Sequence, residues 1–163
     1  MTETQLRNAM ETYGDTVYRL ALCRMQNVAD AEDVYQDVFL RLFAQSAMDW
    51  GGEHLKAWLI RATLNRCADV HRFRLRRPVL SLEELPDMAR PESAEDFALW
   101  EVVGRLPEKL RIPIHLHYGE GYSTEEIADM VGVPAATVRT RLHRARTRLK
   151  DLLGGFQDEE RVS

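Results

Sequence analysis

Residues 123–150 read STEEIADMVGVPAATVRTRLHRARTRLK. Ser123 followed three residues later by Glu126 is a capping-box pattern, in which each side chain satisfies a backbone N–H at a helix start. It opens a short helix with Ile127, Ala128 and Val131 inward. Gly132-Val133 makes a tight turn, and Pro134 starts a long helix, because a missing N–H costs nothing in a first turn. A short capped helix, a glycine turn and a longer helix form a helix-turn-helix. At about 100° per residue, Val138, Leu142, Ala145 and Leu149 make one narrow stripe, which must pack inward. The opposite side carries Ala136, Arg139, Thr140, His143, Arg144 and Thr147, with Arg141, Arg146 and Arg148 at the flanks. Guanidinium groups bond guanine bidentately, and small Ala136 permits close approach, so this face suits a major groove.

The chain has 163 residues with a formal net charge of −4, which on its own speaks against a nucleic-acid binder. The sum conceals its distribution. Twelve of the 22 Lys and Arg residues fall within 61–77 and 134–150, which together hold one acid, Asp69. The acids cluster near 30–37, 83–101 and 158–160. Such asymmetry points to nucleic acid. Apolar runs are too short for a transmembrane helix. The start, MTETQLRNAMETYG, lacks a signal peptide's pattern, so a cytoplasmic setting is expected. Cys23 and Cys67 are too few for a disulfide scaffold or a zinc site. No cofactor or metal is expected.

Outward from the opening stretch, nearly every periodic segment reads as helix, and the fold class is all-α. Residues 4–26 carry Leu6, Met10, Tyr13, Val17, Leu20, Ala21 and Met25 at spacings of three and four. Asp30 is the expected cap of a second helix with Val34, Val38, Phe39, Leu42 and Phe43 inward. Gly51-Gly52 breaks the chain, and a third helix runs from about His54 to Arg77, before Pro78. Residues 78–94, rich in proline and acid, read as a flexible linker. The chain thus divides into a domain at 1–77, the linker, and a helix-turn-helix domain at 95–153. In the latter, Pro113 should kink a helix at 107–118. The last helix should fray at Gly154-Gly155, leaving 154–163 as a disordered tail.

Two further surfaces stand out. On the third helix, Leu59, Ile60, Thr63, Leu64, Cys67, Val70 and Leu75 share one side. Trp58, Arg61, Ala62, Asn65, Asp69, Arg72 and Arg76 share the other. An aromatic, an amide and guanidiniums on one face suit unpaired nucleic acid, since bases stack on aromatics and phosphates pair with arginine. Residues 30–43, DAEDVYQDVFLRLF, place Asp33, Gln36, Asp37 and Arg41 outward, a candidate protein-docking surface.

Three segments, DAEDVYQDVFLRLF, AWLIRATLNRCADVHRFRLRR and LPEKLRIPIHLHYGEGYSTEEIADMVGVPAATVRTRLHRARTRL, occur in an order that resembles the extracytoplasmic-function (ECF) sigma factors of bacterial RNA polymerase. The resemblance covers most of residues 10–153. It implies that Asp33, Gln36, Asp37, Phe39 and Arg41 dock on the polymerase clamp helices. It implies that Trp58, Arg61, Asn65, Asp69, Arg72 and Arg76 open and hold the −10 promoter element. It also implies that Ala136, Thr137, Arg139, Thr140, His143, Arg144, Thr147 and Arg148 meet the −35 duplex. The second domain is implied to touch the flap tip, and a separate anti-sigma factor is an implied partner. Such a subunit makes and breaks no bond, so no catalytic residue is expected. Ala136 and Thr140 depart from the family's usual Gly and Ser, and the loop around Trp50 is atypical. A stand-alone helix-turn-helix regulator is the alternative. It would need a dimer to read two half-sites, and the sequence shows no spare apolar seam for one.

Overall fold

The computed structural model describes the backbone of residues 1–45, 51–73 and 94–162, and side chains within 1–45, 51–70 and 99–154. The described elements are helical. The chain divides into two compact units, Met1–Arg90 and Pro91–Ser163. The division falls within the stretch read as a linker, of which residues 78–93 lie outside the described residues, as do Arg76 and Arg77.

The first unit contains α1 (Glu3–Met25), α2 (Val28–Ala44) and α3 (Gly52–Phe73). A capping box between Thr2 and Gln5 opens α1. It ends at Gln26, a left-handed residue with φ 53°. A side chain at positive φ is strained. Here the Gln26 side-chain amide donates to the Leu22 and Cys23 carbonyls, at 3.3 and 3.2 Å, beside the Gln26 backbone N–H, which also reaches Leu22. The cap of α2 is Asn27, whose Oδ1 accepts the Asp30 N–H at 2.9 Å. This corrects the expectation for Asp30, which lies in the first turn and is buried. The helix begins one turn earlier than its apolar periodicity suggests, because Asn27 is also a good cap.

The core of this unit joins Val17, Leu20, Ala21 and Leu22 of α1 to Val34, Val38 and Leu42 of α2 and to Leu59, Ile60 and Cys67 of α3. Gly14 lets α1 approach Tyr35, where an added Cβ would stand 3.1 Å from the hydroxyl. Tyr18, Tyr35 and Phe39 form an aromatic row with centroid spacings of 6.0 and 4.8 Å. Tyr13 ties α1 to the start of α3, donating its hydroxyl to the Gly52 carbonyl at 3.0 Å.

The second unit contains α4 (Ala94–Gly104), α5 (Glu108–Ile114), a π-helical turn (His115–Gly119), α6 (Thr124–Val131) and α7 (Ala135–Val162). Pro107 caps α5. Pro113 brings no N–H and crowds the carbonyl one turn back. The chain answers with the π turn rather than a simple kink. His117 Nδ1 lies 2.7 Å from the Tyr122 carbonyl. A carbonyl only accepts, so Nδ1 carries the proton. The Ser123–Glu126 capping box is present, and Gly132 closes α6 at φ 76°. Val138, Leu142 and Ala145 are buried and Leu149 half-buried, as the helical wheel requires.

The helix α7 does not stop at Leu153. It continues through Gly154-Gly155 to Val162. Glycine costs only about 1 kcal/mol per residue relative to alanine inside a helix. The pair therefore weakens this helix without ending it.

Candidate nucleic-acid interface

On α7, Ala136, Arg139, Thr140, His143, Arg144, Thr147 and Arg148 are exposed, and Thr137 is half-buried. The structure thus brings the expected residues onto one open face. Two details were not legible in the sequence. Arg139 sits 3.7 Å from Glu125 of α6, a loose, exposed pair that links the two helices of the motif. The Thr140 and Thr147 hydroxyls donate to the carbonyls of Ala136 and His143, at 3.1 and 3.0 Å. The Ser123 backbone N–H, and then its hydroxyl, hold the Glu126 carboxyl below the ordinary carboxylate range. This fixes the start of α6.

Behind that face, Arg146 donates to the exposed Tyr118 hydroxyl at 2.8 Å. Tyr118 lies on the π turn, so this irregularity supplies the partner. Leu99, Val103, Ile114, Tyr118, Leu149 and Leu153 line a groove of about 520 Å³ within the second unit, with Arg146 and Lys150 also on its wall.

On α3, Arg61 and Asn65 are exposed, while Trp58, Ala62 and Asp69 are half-buried. Arg72 falls where no side chain is described. Trp58, Arg61, Ala62 and Asn65 meet Arg41, Ala44 and Gln45 of α2 in a cleft of about 460 Å³. Arg41, expected on the docking surface, is therefore part of this concave site. Its signal was present: it lies one turn beyond Asp37, at the end of α2 that faces α3. Sequence periodicity handles one helix at a time and does not show which neighbours share a cleft.

On α2, Asp33 and Gln36 are exposed. Asp37 instead accepts from Arg66 Nε at 2.7 Å, joining α2 to α3. Phe39, an expected docking residue, is 3% exposed and belongs to the aromatic row, so it presents no docking surface. Leu40 and Phe43 are 64% and 41% exposed. They extend the face of Gln36 by one turn. Phe43 was expected inward, and Leu40 was overlooked although its wheel position lies away from Val34 and Val38. Exposed large apolar side chains side by side mark an interaction surface.

Two family models match. Sigma-70 region 2 covers residues 9–77 and sigma-70 region 4 covers residues 96–149. The helical cleft unit and the helix-turn-helix unit thus place the chain in the sigma-70 class. It is 34% identical over 160 residues to the ECF RNA polymerase sigma factor SigE of Mycolicibacterium smegmatis, covering 90% of this chain and 61% of that protein. It is 32% identical to the RNA polymerase sigma-E factor of Streptomyces avermitilis, covering 88% and 82% of the two. Among solved structures, the sigma factor RpoE of Bartonella quintana, in complex with the anti-sigma factor NepR, shares the fold. Its TM-score is 0.73 at 21% identity, covering 92% of this chain and 97% of that one. The chain belongs to the ECF RNA polymerase sigma factors. Its relatives are DNA-binding regulators of transcription initiation rather than catalysts. No helix among the described residues is long and apolar enough to cross a membrane.

Proposed function

We propose that this chain directs core RNA polymerase to specific promoters by reading DNA at two places in two physical states. The observation that carries the reading is a pair of surfaces of different shape, one in each unit. The convex cationic face of α7 suits the edges of an intact duplex groove. The concave cleft of Trp58, Arg61, Asn65 and Arg41 suits a single strand, whose bases need an aromatic surface and a pocket. In this reading the α7 face anchors the −35 duplex. The α3 cleft captures the −10 nontemplate strand as it separates. Unstacking costs a few kcal/mol per step, and stacking on Trp58 with phosphate contacts from Arg61 and Arg41 offsets it.

Asp33, Gln36, Leu40 and Phe43 form the docking face for the polymerase clamp helices. Asp37 acts there indirectly, by holding α2 on α3. The apolar groove of the second unit takes the flap tip. The Bartonella quintana relative is bound by an anti-sigma factor, and a separate anti-sigma factor is the regulator proposed for this chain.

The test is transcription from genomic DNA by purified core polymerase, with and without this protein, followed by sequencing of the RNA 5′ ends. Starts that appear only with the protein and share two spaced upstream elements are expected. Tight operator binding by a dimer of the free protein, with no new starts, would overturn the reading.

A further inference from the structure

The reading helix carries two threonines whose hydroxyl protons are already committed. Thr140 donates to the Ala136 carbonyl and Thr147 to the His143 carbonyl. A hydroxyl has one proton. Guanine N7 and O6, thymine O4 and phosphate oxygens all accept and cannot donate. With its proton on its own helix, the Thr140 oxygen cannot bond any of them and can only accept from an amino group, adenine N6 or cytosine N4, while its γ-methyl stays free for apolar contact. Inside a helix a side chain occupies two of three staggered positions at χ1, the third being blocked by the preceding turn. With the Thr140 oxygen turned to the Ala136 carbonyl, its γ-methyl takes a different staggered position.

Ala136 is one turn earlier on the same face, and both residues are exposed. Two methyl groups therefore sit together at the N-terminal end of α7, the end of such a helix that meets base edges. Arg139 and Arg144 stand on either side of them. Thr147 repeats the hydroxyl geometry but lies about 16 Å further along the axis than Ala136, away from that end. The apolar group that a base edge offers in the major groove is the thymine C5-methyl.

Resting on the reading of α7 as the −35 helix, we infer that Ala136 and Thr140 form a methyl contact selecting thymine at one position of the upstream element. Thr140 reads by its methyl, and its hydroxyl serves the helix.

The full-length protein, assembled with core polymerase, first selects its upstream duplex from a randomised library. Each thymine in the selected duplex is then replaced singly by deoxyuridine, which removes only the C5-methyl. One position should lose about fourfold in affinity, the worth of one buried methyl group. Thr140→Val keeps the γ-methyl and puts a second methyl in place of the hydroxyl, so it should retain that penalty and bind within about twofold of the parent. Thr140→Ser removes the γ-methyl and should shrink the penalty to the share that Ala136 alone supplies. A large loss with Thr140→Val and none with Thr140→Ser would make the hydroxyl the reading group and overturn the inference. So would a duplex indifferent to every uracil while Arg144→Ala still relaxes selection at a defined position, and the −35 reading would then stand. A library that returns no upstream preference at all would overturn both.

Discussion

Tyr18 shows how a single buried group sets a chemical limit on the first unit. Among the described residues its hydroxyl has no hydrogen-bond partner. Burial, reinforced by the charge of Glu32, pushes its pKa up to about 12. A folded value above the unfolded one favours the neutral form in the native state. The associated stability is present below pH 10 and is lost as pH rises towards 12. Tyr18→Phe should be neutral or stabilising at pH 7 and should shallow the loss above pH 10. Denaturant unfolding at the two pH values checks this. At the DNA face, Arg144→Ala should lower discrimination at one or two upstream positions by about 1–3 kcal/mol if it bonds a base. Uniform weakening across competing duplexes would make it a phosphate contact. Trp58→Ala should slow promoter opening more than initial binding, as separate footprinting and permanganate assays would show. Equal loss at both stages would make Trp58 structural. Residue type and spacing place Asn65, Arg139 and Arg144 on outward faces, where the structure has them exposed. Phe39 fits both the inward stripe and the docking motif, and its burial decides for the stripe; that Arg41 shares a cleft with α3 depends on a neighbouring helix.

The elements follow largely from local rules, and the departures have local causes. The capping box at Ser123, the glycine at 132 and the narrow stripe of Val138, Leu142 and Ala145 specify the helix-turn-helix with little help from tertiary structure. Gly132→Ala should destabilise the second unit by about 1–2 kcal/mol, since φ 76° forces the new Cβ towards a carbonyl. Thermal denaturation followed by circular dichroism measures it. Where two caps compete, as at Asn27 and Asp30, periodicity cannot choose between them. Where glycines follow a strong helix, as at Gly154, the break is only a tendency. The π turn was legible only as trouble at Pro113. Its use, presenting Tyr118 to Arg146, depends on α7 lying alongside. Asp37→Asn tests the contact between α2 and α3. The pair is partly exposed, so the stability loss should stay within about 1 kcal/mol. A stability change of that size with unimpaired polymerase binding would place Asp37 wholly within the fold.

At the scale of the molecule, the net charge of −4 joins two basic segments, 61–77 and 134–150, to an acidic remainder. Weak attraction of the free chain for random DNA follows, and specificity then depends on polymerase holding both units at promoter spacing. Across a salt series, the free protein should bind promoter DNA weakly and the holoenzyme tightly. Tight, specific binding by the free chain would refute this. The division into two compact units, each with its own core, also has a thermal consequence. Two cores joined by a chain segment need not melt together, and a single midpoint does not then describe the protein. Calorimetry should resolve two transitions. In the interval between them one unit stays folded and the other does not. On the proposed reading, loss of the second unit first would leave polymerase docking while erasing upstream selection, and loss of the first would end that docking, so the order of melting decides whether heat first costs accuracy or activity.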